Sequence, residues 1–279
     1  MPEAPRRRAA GGVIAAGLAA LAFAGGALAG SPGSVDRGSH HWSRHVAAAQ
    51  RFARSRGGTV SFAVIDEHRG FHGKHPFRTF DSASVIKAML MVAYLNQPGV
   101  RHRGLNDSDR DLLRPMITRS DNATAERVYE KVGNKGLDRV AHRAGMKKFT
   151  PSSTWGLSRI TARDQAWFMY RITRYIADRH VRYAMHLLKS IVPSQRWGIA
   201  QEVPPGWKIY FKDGFVPDGS TGRWKINQVA LLRNPPGRKL AIVVLTRGNP
   251  TAGYGHATVR GVADRLLRHY RRDTRPRHH

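Results

Sequence analysis

The sequence predicts an α+β fold: an antiparallel five-stranded sheet built from both chain ends, flanked by terminal helices and an all-helical middle lobe. Three observations predict it. Strand-like runs rich in β-branched and aromatic residues occur near the start, "TVSFAVID", and near the end, "GWKIYFKDGF", "KINQVALLRN" and "KLAIVVLTRG". From Leu105 to about Pro204 the apolar spacing is helical, with no convincing strand. The last two strand runs are joined by "PPGR", a tight turn, which makes them antiparallel neighbours.

The elements follow in order. "MPEAPRRR" supplies three arginines, and "AAGGVIAAGLAALAFAGGALAG" follows without a charge. Ala27-Leu28-Ala29 is a small-x-small cleavage pattern, so residues 1–29 are expected to be an export signal or a retained N-terminal anchor. Residues 30–41 are turn-rich and predict a linker ahead of a domain at 42–272 and a basic tail at 273–279. Trp42, Val46, Ala49 and Phe52 space one helix, ended by Gly57-Gly58. A strand over 59–66 turns at Glu67–Gly70 into a short partner near Phe71. The apolar helix "DSASVIKAMLMVAYL" stops at "NQPG". Five helices are expected in the middle lobe: "DSDRDLLRPMITRS", "NATAERVYEKVG", "GLDRVAHRAG", "TARDQAWFMYRITRYIADR" capped by Thr161 and Asp164, and "VRYAMHLLKSIV". A closing helix places Val259, Val262, Leu266 and Leu267 on one face.

The chain has 279 residues and no cysteine, which excludes disulfides, thiol catalysis and cysteine-based zinc sites. The net charge is +28; residues 1–29 hold three arginines and one glutamate, so +26 lies beyond them. Such a field attracts polyanions. In an exported chain, anionic cell-envelope polymers or lipid headgroups are the candidate partners, and a diffuse, solvated basic surface would explain the same charge; no nucleic acid and a monomeric state are expected. The histidine pairs lie in a turn or at chain ends rather than on one helix face, so neither a metal site nor a cofactor is implied.

Chemistry concentrates in three short motifs. Ser84 and Lys87 are i and i+3 on one face of an almost wholly apolar helix. A buried ammonium is costly, and a lysine that has lost its proton can accept one from a serine hydroxyl. A capping serine and a snorkelling lysine would explain the same residues. Ser120-Asp121-Asn122 falls in a break between helices, where all three types also serve as N-caps. Lys212-Asp213-Gly214 lies within a predicted strand, where glycine admits close backbone approach and lysine adds positive charge.

In order and placement these motifs resemble the SxxK, SDN and KTG set of the serine β-lactamase and penicillin-binding protein superfamily, most of all its class A β-lactamase branch. "LLRPMITRSDNATAERV" and "ITARDQA" extend the likeness over roughly residues 42–270. The resemblance implies a β-lactamase/transpeptidase-like fold and an acyl-enzyme serine hydrolase. Ser84 would be acylated, Lys87 would take part in its proton transfer, and Ser120 would relay a proton to the leaving nitrogen. Asn122 would hold the substrate amide and Lys87. Lys212 would keep the site positive near the substrate carboxylate, and Gly214 would let a ligand approach the strand backbone closely. The backbone N–H groups of Ser84 and Phe215 would form the oxyanion hole.

Two departures bear on function. Class A enzymes carry a deacylating glutamate in the loop before the fourth helix, whereas Phe149–Ile160 contains no carboxylate. Asp164 comes too late and has a capping task, and Glu130 comes too early. Asp213 stands where the family has threonine; it would repel a substrate carboxylate unless it points away, and Arg223 or Lys225 would then supply the anion contact. The expected activity is opening of β-lactams or related amides and esters with slow deacylation. The alternatives are a D,D-peptidase or penicillin-binding role in peptidoglycan metabolism, and a non-catalytic envelope-binding module.

Overall fold

The computed structural model describes residues 37–272. The predicted signal or anchor at 1–29 and the basic tail at 273–279 lie outside the described residues. The elements are α1 (Arg37–Arg54), β1 (Thr59–Asp66), β2 (Gly70–Lys74), β3 (Thr79–Asp81), α2 (Lys87–Leu95), the short α3 (Pro98–Arg101), α4 (Asp107–Thr118), α5 (Asn122–Arg143), β4 (Arg159–Thr161), α6 (Ala162–Tyr170), α7 (Asp178–Lys189), β5 (Lys208–Pro217), β6 (Trp224–Arg233), β7 (Lys239–Asn249) and α8 (Ala252–Arg272). A 3₁₀ turn, Ala83–Ile86, leads directly into α2 and carries Ser84. Among the described residues no helix is long and apolar enough to cross a membrane.

The sheet is five-stranded and antiparallel in the order β2-β1-β7-β6-β5. The first strand of the chain therefore sits between its hairpin partner and the last strand, with Ala63 opposite Val243. Both strands are buried along nearly their whole length, which is why they read as apolar runs rather than as alternating ones. Helices α1 and α8 pack together closely enough that a Cβ on Gly261 would stand 2.3 Å from the Phe52 ring. Helix α6 brings the helical lobe onto β1, β7 and β6.

Three local readings change. Helix α1 begins at Arg37, inside the predicted linker, because each residue added ahead of the buried Trp42 gains a helical hydrogen bond at little cost. The two helices predicted on either side of Gly133 are both present within α5, separated by a kink at which Gly133 leaves helical geometry with φ 57° and ψ −175°. The helix expected over 161–179 stops at Tyr170; Arg171 leaves helical geometry, and Asn96 Nδ2 takes the Tyr175 carbonyl at 2.6 Å. The middle lobe also contributes a strand: β4 pairs with β3 over three residues, too short a run to show a period in sequence.

Asp66, at the end of β1, ties the two chain ends together. Its carboxylate is fully buried and accepts from Arg238 at 3.0 Å, from the Tyr270 hydroxyl at 2.5 Å and from the backbone N–H groups of His68 and Arg69. Asp66→Asn is expected to lower unfolding stability by roughly 3 kcal/mol, because it leaves a guanidinium without its partner, and Tyr270→Phe by about 1 kcal/mol. Urea denaturation checks both; equal, negligible losses would show that the node is dispensable.

Candidate active site

The site is built from the start of α2, the turn between α4 and α5, strand β5 and the loop before β4. Lys87 has no exposed surface. Its ammonium donates to the Ser120 carbonyl at 2.6 Å, to Asn122 Oδ1 at 2.7 Å and to Ser120 Oγ at 3.3 Å. Two of the three motifs thus meet at one nitrogen; neither Ser84 nor a residue of Lys212-Asp213-Gly214 is among its hydrogen-bond partners. Burial, and after it the nearby Lys212 cation, push Lys87 down to about 7, while Asp121 and Asp213 oppose the shift. A neutral amine retains two donors and exposes a lone pair. The two short contacts to oxygen can persist, and the lone pair is free to accept from a hydroxyl.

The backbone around the site is held in unusual conformations. Ala83, directly before Ser84, has φ 47°, and Ser120 has φ 58°. Side-chain-bearing residues avoid this region, and each such residue costs about 1–3 kcal/mol unless its surroundings impose it. What imposes it at Ala83 is contact with β5. A Cβ on Gly214 would lie 2.6 Å from the Ser84 nitrogen and 2.8 Å from that of Val85. Only glycine lets the strand run this close to the nucleophile's backbone. Phe215, the next residue, is 44% exposed, with its ring edge-on to Trp197 and His256.

Lys212 and Asp213 are both completely buried and pair with one another, Nζ to Oδ1 at 2.7 Å. Burial lowers the Lys212 pKa and the Asp213 carboxylate holds it back. Asp213 Oδ2 is buried with no hydrogen-bond partner. Asp213 therefore does not simply point away from its neighbour, as strand alternation would suggest; Lys212 curls back to meet it. The cations named as substitute anion contacts are otherwise engaged. Lys225 binds Asp81 at 2.6 Å and Asp218 at 3.4 Å, and Arg223 donates to the Gly248 carbonyl.

The loop Phe149–Ile160 is pinned to the site by Ser82, whose N–H donates to the Ser158 carbonyl at 2.9 Å. Trp155 lies with its ring 5.0 Å from Lys87 Nζ, a cation–π contact. Its indole N–H donates to Glu126 Oε2 at 2.8 Å. Sequence reasoning missed Glu126. The carboxylate that reaches this loop comes from helix α5, one turn beyond Asn122, and the i, i+4 spacing from Asn122 was the signal that could have found it.

Lys87 has a lower pKa in the folded protein than in the unfolded chain. Between about pH 7 and 10.5 the unfolded state binds the extra proton, so its contribution to stability should rise with pH across that window and stay flat below it. Denaturant unfolding of the protein and of Lys87→Met, compared from pH 6 to 10, should show the difference growing in favour of the lysine by up to about 1.4 kcal/mol per pH unit. A difference that does not change with pH would mean that Lys87 keeps its ordinary pKa.

Comparison with known proteins agrees with this architecture. A profile described as the β-lactamase enzyme family matches residues 100–270, which hold Ser120, Asn122, Lys212 and Gly214 and exclude Ser84 and Lys87. No curated protein matches by sequence. Among solved structures, a β-lactamase from Sphaerobacter thermophilus is 20% identical with a TM-score of 0.70, covering 84% of this chain and 99% of its own. A representative of class A β-lactamase from Bacteroides cellulosilyticus is 14% identical with a TM-score of 0.73, covering 85% and 99%. A protein named PBP-A is 14% identical with a TM-score of 0.69, covering 82% and 97%. At these identities the structures establish the fold, and the profile, which spans more than half of the chain, establishes the kinship: the chain belongs to the β-lactamase enzyme family and is a serine hydrolase.

Proposed function

We propose that the protein is an exported acyl-enzyme hydrolase that opens β-lactams or related amides and esters on Ser84, with slow deacylation. The observation that carries this reading is Lys87: fully buried, hydrogen-bonded to Ser120 and Asn122, and brought to about 7. A purely structural role would not need a lysine there. In its neutral form Lys87 takes the proton as Ser84 Oγ adds to the acyl carbon, and Ser120 passes a proton to the leaving nitrogen or oxygen. The N–H groups of Ser84 and Phe215 receive the developing oxyanion, a reading supported by Gly214, which lets β5 run close to the Ser84 nitrogen. Water then releases the acyl group. Export rests on the arginine-led apolar segment of residues 1–29 and its Ala27-Leu28-Ala29 pattern.

The second half-reaction lacks a carboxylate in the loop, and Glu126, which reaches the loop from α5, is occupied by the Trp155 indole. General-base assistance contributes typically about 10²–10⁴ in rate. The acyl-enzyme should therefore accumulate: a chromogenic β-lactam should give a burst of about one equivalent followed by a slow steady rate, with the adduct on Ser84 by intact mass and none in Ser84→Ala. Rapid steady turnover that collapses in Glu126→Gln would instead assign the base to Glu126. A long-lived adduct is also what a penicillin-binding or D,D-peptidase role would produce, and release of D-alanine from a peptidoglycan-derived peptide separates the two. A non-catalytic module has no use for the Lys87 arrangement.

The basic surface supports attachment to anionic envelope polymers. A cavity of about 880 Å³ between α4 and α7 is lined by Arg110, Arg114, Arg119 and His186 against a single carboxylate, Asp111. Binding to an immobilised polyanion should fall steeply between about 0.1 and 1 M salt, as the screening length drops from about 10 to 3 Å. Arg110→Ala with Arg114→Ala should weaken it. Binding absent at low salt, or insensitive to salt, would remove this role.

A further inference from the structure

In a chain with 47 Lys and Arg against 19 Asp and Glu, four carboxylates belong to the segments that build the Ser84 site. Asp81 ends β3, three residues before the serine. Asp121 separates Ser120 from Asn122, Asp213 follows Lys212, and Glu126 reaches Trp155. Three cations of the site are matched by carboxylates, Lys212 with Asp213 and both Arg159 and Lys225 with Asp81, whereas Lys87 is bonded to the neutral oxygens of Ser120 and Asn122. Asp121 and Glu126 are bonded instead to Thr124 and to the Trp155 indole, so their charges are not cancelled by an ion pair. His256, whose ring stacks on Trp197 at 4.1 Å, is also in reach of the Asp213 field; burial lowers its pKa, which leaves it uncharged at neutral pH. Arg119 faces the α4–α7 cavity, and Arg223 is held on the Gly248 carbonyl.

An incoming carboxylate would have to compete for Lys212 with Asp213, a partner attached to the same strand and bonded at 2.7 Å. Displacing it would strand a fully buried aspartate whose other oxygen already has no partner. Leaving it in place would bring like charges together.

We propose that Asp213 makes this site discriminate against acyl donors with a negative charge beside the scissile group, so that among the amides and esters it opens the uncharged ones react fastest. The proposal rests on the acyl-Ser84 reading. The chemistry is an acyl transfer: the carbonyl carbon gains a bond to Ser84 Oγ and loses its bond to the leaving group, which departs with the relayed proton. Water reverses the first bond and yields the acid. Only the charge tolerated on the leaving group is at issue.

The test uses two aryl esters of phenylacetylglycine that differ at one position of the leaving phenol, a meta carboxamide in one and a meta carboxylate in the other. For each, kcat/KM at pH 8 is divided by the rate of spontaneous hydrolysis. The protein should favour the carboxamide ester by about tenfold or more, the effect of one opposed charge in a partly screened site. Asp213→Thr and Asp213→Asn should speed the carboxylate ester selectively and move the ratio toward or below one. Equal or faster reaction of the carboxylate ester with the unmodified protein overturns the proposal, whether or not the variants fold. So does an unchanged ratio in folded variants. If neither ester is hydrolysed in a way that Ser84→Ala abolishes, the acyl-serine reading falls and this proposal falls with it.

Discussion

A lysine ammonium with no exposed surface is the constraint on which the site depends. A side chain of this kind inside an apolar helix needs either full hydrogen bonding or the loss of its proton. Lys87 has access to both. Ser120 and Asn122 are brought within bonding distance by the turn between α4 and α5, at the cost of a left-handed serine. The second cation, Lys212, stands close enough to make the proton still easier to lose. Stability and chemistry are therefore coupled here. The partners that make burial of the lysine tolerable are the groups an acyl transfer would use, and one strained residue, Ser120, bonds the same nitrogen.

Backbone approach supplies the other half of the arrangement. Gly214 allows β5 to lie against the first turn of α2, and Asn227 on the neighbouring strand binds the carbonyls of Asp81 and Ser82 at 2.9 and 3.2 Å. The segment that enters the nucleophile's turn is thus fixed by two strands of the sheet. Sheet and helical lobe meet at Ser84, and neither alone contains the site. The electrostatics follow the same seam. Four carboxylates lie along it, and two of them, Asp81 and Asp213, pair with Arg159, Lys225 and Lys212.

Much of the fold was legible because its signals are local. Strands β1, β5, β6 and β7 are long apolar runs with turn residues between them, and the capped helices carry their start signals in three or four residues. The elements that sequence did not show depend on partners distant in the chain. The β3–β4 pair is three residues long and exists because Thr79 and Thr161 are brought together. The end of α6 is decided partly by Asn96, far upstream.

The same division holds at the site. Sequence by itself determined the apolar helix that must bury Lys87, the spacing that places Ser84 on its face, and the absence of a carboxylate from Phe149–Ile160, since these are properties of residue type and order. Tertiary structure alone decided where charges find partners. Lys212 turns to Asp213, Lys225 is taken by Asp81, and Glu126, one helical turn beyond Asn122, is the carboxylate that meets Trp155. The physical reason is range: periodicity and capping act over a few residues along the chain, whereas ion pairing and desolvation depend on which atoms folding brings within a few ångströms, and no local pattern encodes that.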